Sequence, residues 1–351
     1  MTMTTRYVLP VCLMLLSAAH AGTAAAQPAD PAALESRINA IHREMAELGR
    51  ELARLEKQRR PHFAASVYPA ALTPTPPEQK ARQDNRERRE LEDASEHNPF
   101  AMTAHRTNYL LPVSYNGNPD RARFGDIDAD GEPDNTEVKL QFSIKFALAQ
   151  GLLDGHGDLY FGYTQRSWWQ AYNTDSSSPF RETNYEPEVF IDFANDSNLF
   201  GWINTRNRLS LNHQSNGRSA PLSRSWNRLY LESTLQRGDW ALTLQPYWRL
   251  PESDGEDDNP DIHRYMGYAN VRLARRFDHD QEFSIQLRGN PDTGYSGTRL
   301  DYSWPAFNGV RGYVQYYNGY GESLIDYDHR VQRLSLGFSL NPLFTPTGLL
   351  R

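Results

Sequence analysis

Two short runs hold the side chains best suited to chemistry: Leu209–Ser–Leu–Asn–His–Gln–Ser–Asn–Gly–Arg218 and Ser223–Arg–Ser–Trp–Asn–Arg–Leu229. Read with a period of two, Leu209, Leu211, His213 and Ser215 share one face of a strand. Asn227, Leu229, Leu231, Ser233 and Leu235 do the same on the next strand. A hairpin joining the two brings a serine, a histidine and an asparagine together at one end of an apolar face. Serine as nucleophile, histidine as base and a third polar group to hold the imidazole make an acyl-transfer set. A solvated hairpin tip with no chemistry is the plainer reading of the same spacing, because such a set is defined by geometry and not by chain order.

These groups meet only if the surrounding chain forms regular strands. Val138, Leu140, Phe142, Ile144, Phe146 and Leu148 alternate strictly with Lys139, Gln141, Ser143 and Lys145. Trp240, Leu242, Leu244, Trp248 and Leu250 form a second such row, and Leu334, Leu336, Phe338 and Leu340 a third, whose parity Phe344 keeps as a terminal aromatic. A soluble sandwich also alternates, but in shorter pieces; runs of about 10 or more residues suit a tilted membrane strand. The pattern predicts strands over 105–116, 136–149, 158–172, 185–195, 201–213, 225–236, 240–251, 263–276, 282–291, 297–305, 310–320 and 330–341. That is about twelve, an even number as bacterial barrels have. Short gaps (Asp196–Phe200, Arg237–Asp239) alternate with longer ones (Gly117–Asn135, Asn173–Asn184, Gln214–Arg224), as periplasmic turns alternate with exterior loops. The expected class is all-β: an antiparallel transmembrane β-barrel over 98–344. His213 and Ser215 then lie at the outer rim and, sharing parity with the leucines, face lipid and not the lumen.

Composition agrees. The 351 residues are 38% hydrophobic, with Tyr 19, Phe 15 and Trp 7, enough for aromatic girdles. After the N-terminus no run approaches the roughly 20 apolar residues of a spanning helix. A net charge of −7 argues against a nucleic-acid binder. Residues 1–26 read as a secretory signal, with Arg6, an apolar Val8–Leu16 core and Ala24–Ala–Ala26 before the cleavage point, cleavage after Ala21 being the alternative. Cys12 lies inside that signal, so the mature chain is expected to lack thiols. Within 27–60, Leu34, Ile38, Ile41, Met45, Leu48, Leu52 and Leu55 follow a heptad, predicting a periplasmic coiled-coil-like α-helix able to take a coiled-coil partner over 31–60. A single amphipathic helix is the alternative. Residues 61–97 read as a Pro-rich and then charged linker, and 345–351 as a C-terminal tail.

His213–Gln–Ser215–Asn216–Gly217–Arg218 with Ser223–Arg–Ser–Trp226–Asn227–Arg–Leu–Tyr230 also resembles the active-site hairpin of the bacterial outer membrane phospholipase A family. The resemblance runs on through Ser167–Trp–Trp–Gln170, Ser177–Ser–Pro–Phe–Arg–Glu–Thr–Asn–Tyr–Glu–Pro187, Asp257–Asp–Asn–Pro–Asp261, Tyr265–Met–Gly–Tyr268 and Gly319–Tyr–Gly–Glu–Ser–Leu–Ile–Asp–Tyr327, covering roughly residues 98 to 344. It implies a calcium-dependent phospholipase of the A1 or A2 type in the bacterial outer membrane, acting on phospholipid acyl esters and active as a homodimer. By the same resemblance Ser215, His213 and Asn227 are catalytic, and the amides of Ser215 and Gly217 face the oxyanion. The Arg218 carbonyl, the Ser223 hydroxyl and Ser177 from a partner barrel bind Ca2+, and Gln165 lies at the dimer interface. Ala220 stands where the family often has Asp, which puts a second calcium site in doubt. A porin or other non-enzymatic barrel is the alternative function.

Two acidic stretches remain. Asp126–Ile–Asp128–Ala–Asp130–Gly131–Glu–Pro–Asp134–Asn–Thr–Glu137 matches the spacing of a calcium loop, but a strand is expected after Glu137 where an EF-hand needs a helix. It is read as a solvated exterior loop, as is Glu252–Asp261.

Overall fold

The computed structural model describes residues 76–96 and 103–344, apart from positions 254, 256 and 308. The expected signal 1–26, the heptad helix 27–60 and the tail 345–351 lie outside the described residues. Twelve long strands follow one another: β1 (Tyr109–Asn116), β2 (Thr136–Gly151), β3 (Gly157–Trp169), β4 (Phe180–Ala194), β5 (Trp202–Ser215), β6 (Ser225–Arg237), β7 (Trp240–Arg249), β8 (Ala269–Arg276), β9 (Glu282–Gly289), β10 (Ser296–Phe307), β11 (Val310–Gly319) and β12 (Val331–Ser339). Each pairs antiparallel with its neighbour in sequence, and β12 pairs with β1, closing the ring. Closure leaves no edge strand with unpaired backbone groups, which is the condition for strands to cross a bilayer.

The alternation read from the sequence sets the two faces. Leu211, Leu231, Trp248, Leu287, Leu334, Leu336 and Phe338 are exposed on the outside, while Lys139, Gln141, Ser143 and Lys145 are buried. The barrel is therefore apolar outside and charged within, as hydrocarbon around it requires. Inside, Arg181 pairs with Glu137 (3.0 Å) and Asp326 (2.6 Å), Arg333 with Glu137 (2.7 Å) and Glu322 (2.8 Å), and Lys139 with Glu322 (2.7 Å). These pairs lie in the lumen and tie β2, β4 and β12 to one another and to the loop between β11 and β12.

Two expectations are corrected. The charged part of the linker is helical: α1 spans Pro76–Glu96. Its sequence is rich in Gln, Arg and Glu, all good helix formers, and Gln83–Glu87 (2.9 Å) and Arg88–Glu92 (2.6 Å) bond at i,i+4. No apolar stripe advertises the helix because the surface it covers is polar. Ala81, Asn85, Arg88 and Glu92, at helical spacing, turn to the short-turn mouth of the barrel. There Asn85 donates to the Asn195 carbonyl (3.0 Å), Arg88 to the Thr205 carbonyl (3.3 Å), and Glu92 takes Lys145 (3.1 Å). Lys80–Asp239 (2.6 Å) and Asp84–Arg276 (2.7 Å) flank them.

The second correction concerns Phe344. β12 stops at Ser339, and Phe344 is buried against Ala241 and Ala274, so it does not continue the lipid-facing row. Leu343 donates its amide to Glu282 (2.6 Å) and packs on Tyr109, Leu111 and Tyr313. Pro342 cannot extend the ladder, and the chain turns into the mouth.

Candidate active site

β5 and β6 form the hairpin expected from the sequence. His213 and Asn227 are directly opposed in register, as are Ser215 and Ser225 two pairs further on. His213 Nδ1 lies 2.9 Å from Asn227 Oδ1. The Asn227 amide nitrogen in turn donates to Glu252 Oε1 at 2.8 Å, and a carboxylate only accepts, so Oδ1 is the end facing histidine. It follows that Nδ1 carries the proton and Nε2 keeps its lone pair. Ser215, on the same face two residues on, makes no hydrogen bond to His213 among the described residues. Such bonds commonly close only with substrate bound.

The opposite face of the hairpin fixes this register. Inside the barrel the Trp226 indole donates to Gln214 (2.8 Å) and Arg228 to Asn212 (2.6 Å), so each neighbour of the His213–Asn227 pair is locked from the lumen side. Asn216 ties down the turn: its side chain donates to the Leu222 carbonyl (2.8 Å) and accepts the Arg224 amide (3.0 Å). Gly217 has φ +65°, a conformation that favours glycine, and a Cβ there would come within 3.2 Å of the Tyr185 ring, which would have to give way slightly. The Gly217 amide donates to no group among the described residues.

The turn also gathers oxygen donors. Ser223 Oγ donates to Asp258 Oδ2 (2.5 Å), and the Arg218 carbonyl accepts no hydrogen bond among the described residues. An unused carbonyl, a hydroxyl and a carboxylate on neighbouring loops are the hard ligands that calcium takes, so the residues present fit that ion. Ser177 sits apart, exposed, on the loop between β3 and β4 with φ +56°. No contact joins it to Arg218 or Ser223 among the described residues. Gln165 of β3 lies on the outer face between Phe142 and Tyr185; its side chain meets the Tyr163 hydroxyl (3.1 Å) and Ser167 Oγ (3.4 Å). Register puts Gln165, Tyr185 and Ser215 in one line across β3, β4 and β5.

The Glu252–Asp261 stretch is not the solvated loop expected of it. Besides the bonds of Glu252 and Asp258, Asn259 is fully buried and accepts the Ser225 amide (2.8 Å), and Asp257 pairs with Arg249 (2.5 Å). The Tyr327 hydroxyl donates to Asp261 (2.6 Å), and burial beside that carboxylate raises the phenol well above its ordinary pKa. Strand parity is the sequence signal that points to Glu252. Leu250 donates to the Asn227 carbonyl (2.8 Å), and Glu252, two residues on, returns to the same face. Asp126–Glu137 is only partly the solvated loop expected: Asp126 and Asp130 are exposed, but its last residue is not. Glu137 is buried in its ion pairs with Arg181 and Arg333, so it is not available to a cation in that loop, and no acidic cluster of metal-binding type occurs among the described residues.

A closed barrel, apolar outside, with serine, histidine and asparagine aligned at the lipid-facing rim defines a class: membrane barrels equipped for ester chemistry. The family model of phospholipase A1 matches residues 86–340, and the chain belongs to that family. Phospholipase A1 of Escherichia coli is 42% identical over 247 residues, covering 70% of this chain and 84% of its own length. The Klebsiella pneumoniae protein of the same name is 41% identical, with 70% and 85% covered. Among solved structures, outer membrane phospholipase A from Escherichia coli superposes with a TM-score of 0.66 at 40% identity, over 70% of this chain and 94% of that one. The Salmonella typhi outer membrane phospholipase dimer with bound calcium gives 0.67 at 40%, over 71% and 95%.

Proposed function

We propose that this protein is a calcium-dependent outer-membrane phospholipase hydrolysing phospholipid acyl esters with Ser215, His213 and Asn227, and that it works as a dimer. The observation that carries the reading is the in-register His213–Asn227 bond beside Ser215 on the lipid-facing side of the hairpin.

In this mechanism Ser215 Oγ attacks the acyl carbonyl while His213 Nε2 takes its proton. The same proton goes to the departing glycerol oxygen, releasing lysophospholipid and leaving an acyl-serine. A water deprotonated by His213 then frees the fatty acid and restores the serine. Asn227 keeps the proton on Nδ1 so that Nε2 stays available. The amides of Gly217 and Ser215 hold the oxyanion; a donor of this kind is typically worth about 3–4 kcal/mol. The Arg218 carbonyl and Ser223 hydroxyl would hold calcium, which when bound supplies positive charge near the oxyanion. Ser177 completes that site from a second barrel, and the Gln165–Tyr185–Ser215 line makes the association face continuous with the nucleophile.

A porin reading fits less well, since buried ion pairs such as Arg181–Glu137, Arg333–Glu322 and Lys139–Glu322 occupy the lumen where a porin needs an open channel. The test is hydrolysis of defined phospholipid in detergent with calcium by the purified protein and by Ser215→Ala. Equal rates from the two would reject the assignment.

A further inference from the structure

Asparagine holds an imidazole but brings no charge, so a Ser-His-Asn set lacks the anion that stabilises imidazolium in a Ser-His-Asp triad. Here an anion stands one residue behind. Glu252 Oε1 accepts from Asn227 Nδ2 at 2.8 Å, on the far side of the amide that faces His213 at 2.9 Å. The carboxylate is 14% exposed, and its second oxygen is buried without a hydrogen-bond partner, 3.7 Å from Arg249. Arg249 is shared: it also bonds Asp257 (2.5 Å) and the Pro260 carbonyl (3.2 Å). Among the described residues these are the charged groups facing Glu252 along its own loop and strand; from β6 it meets neutral Asn227.

We propose that Glu252 is a positioning residue that extends the catalytic set to Ser215–His213–Asn227–Glu252. It acts in two ways. It fixes the Asn227 amide with oxygen toward histidine, since the flipped amide would turn its NH2 onto Nδ1–H and its oxygen onto a carboxylate. It also polarises that amide, so negative charge is felt at the imidazole when His213 takes the serine proton. The proton itself never leaves His213 Nδ1, and no bond to Glu252 forms or breaks. The inference rests on the triad reading above.

The test uses the full-length calcium-loaded protein in mixed micelles and compares wild type, Glu252→Gln, Glu252→Asp, Asn227→Ala and Asn227→Ala with Glu252→Gln across pH. Glutamine keeps the shape but removes the charge and allows the amide to turn. The expected result is a kcat lower by roughly tenfold with KM unchanged, a modest share of what general acid–base catalysis typically contributes. The acid limb of kcat/KM should move about one unit toward lower pH, because imidazolium forms less readily without the anion. Aspartate should recover part of the rate. With Asn227 already removed, Glu252→Gln should cost nothing more. A Glu252→Gln profile that overlies wild type, or an equal loss in both backgrounds, overturns the proposal while leaving the triad intact if Ser215→Ala and His213→Ala are inactive. Activity surviving in those two variants overturns the triad and this proposal with it.

Discussion

His213 and Asn227 face each other across β5 and β6 with 2.9 Å between Nδ1 and Oδ1, while the pairs on either side of them bond on the opposite face of the same sheet. The His213–Asn227 pair is thus held from behind by the lumen. Ser215→Ala and His213→Ala should each lower phospholipid hydrolysis by at least roughly a thousandfold without loosening the barrel. Asn227→Ala should leave weak, more pH-sensitive turnover. Heat-dependent electrophoretic mobility reports the fold alongside the rate, and a variant that is inactive because it is unfolded would not count.

Calcium should be needed at the Arg218–Ser223 turn and not at Asp126–Glu137. EDTA should silence hydrolysis and added calcium restore it, with Ser223→Ala raising the calcium needed for half-maximal rate. Asp126→Asn with Asp130→Asn should leave the titration where it was. A shifted calcium curve in the loop variant would move the site to that loop.

Gln165 occupies the outer face in line with Tyr185 and Ser215, and among the described residues its side chain bonds to Tyr163 at 3.1 Å and Ser167 at 3.4 Å. A hydrogen bond to a second copy, worth about 0.6–2 kcal/mol, corresponds to dimers weakened about 3- to 30-fold in Gln165→Ala. Sedimentation in detergent with calcium should show this, and activity at low protein concentration should fall in step. Full activity from a demonstrated monomer would end the dimer requirement.

Acid should release α1 from the barrel mouth. Lys145 and Arg88 beside Glu92 outweigh the cost of its burial and hold its pKa down at about 2, against 4.5 ordinarily. A folded pKa below the unfolded one gives stability that is present above about pH 4.5 and lost as pH falls toward 2. The span corresponds to about 3 kcal/mol at most, part of it offset by desolvating Lys145. Amide exchange in 76–96 should accelerate through that window in wild type, and Glu92→Gln should exchange fast already at neutral pH. Exchange in wild type that stays flat from pH 5 to pH 2 would contradict the account.

Period-two alternation was enough to assign inside and outside along rows such as Leu140–Phe146 and Leu334–Phe338, because a membrane barrel has one apolar and one polar face and the backbone period is two. That same parity set His213, Ser215 and Asn227 on the lipid side, and the motif around them resembled the family to which the chain belongs. The strand expected over 263–276 is shorter, opening with the helical turn Ile262–Met266 before Ala269–Arg276. What alternation does not carry is polar surface meeting polar surface. α1 covers the barrel mouth through Asn85, Arg88 and Glu92, so no apolar stripe marks it, and charge alone read as linker. The Glu252–Asp261 loop likewise looked solvated, yet it folds over β6 and meets Asn227, Ser223 and Ser225. Phe344 kept strand parity by number only, since its place in the mouth depends on where β12 ends. In each case partners distant in the chain satisfy hydrogen bonds and charges that composition counts as exposed, and only the closed barrel brings those partners to them.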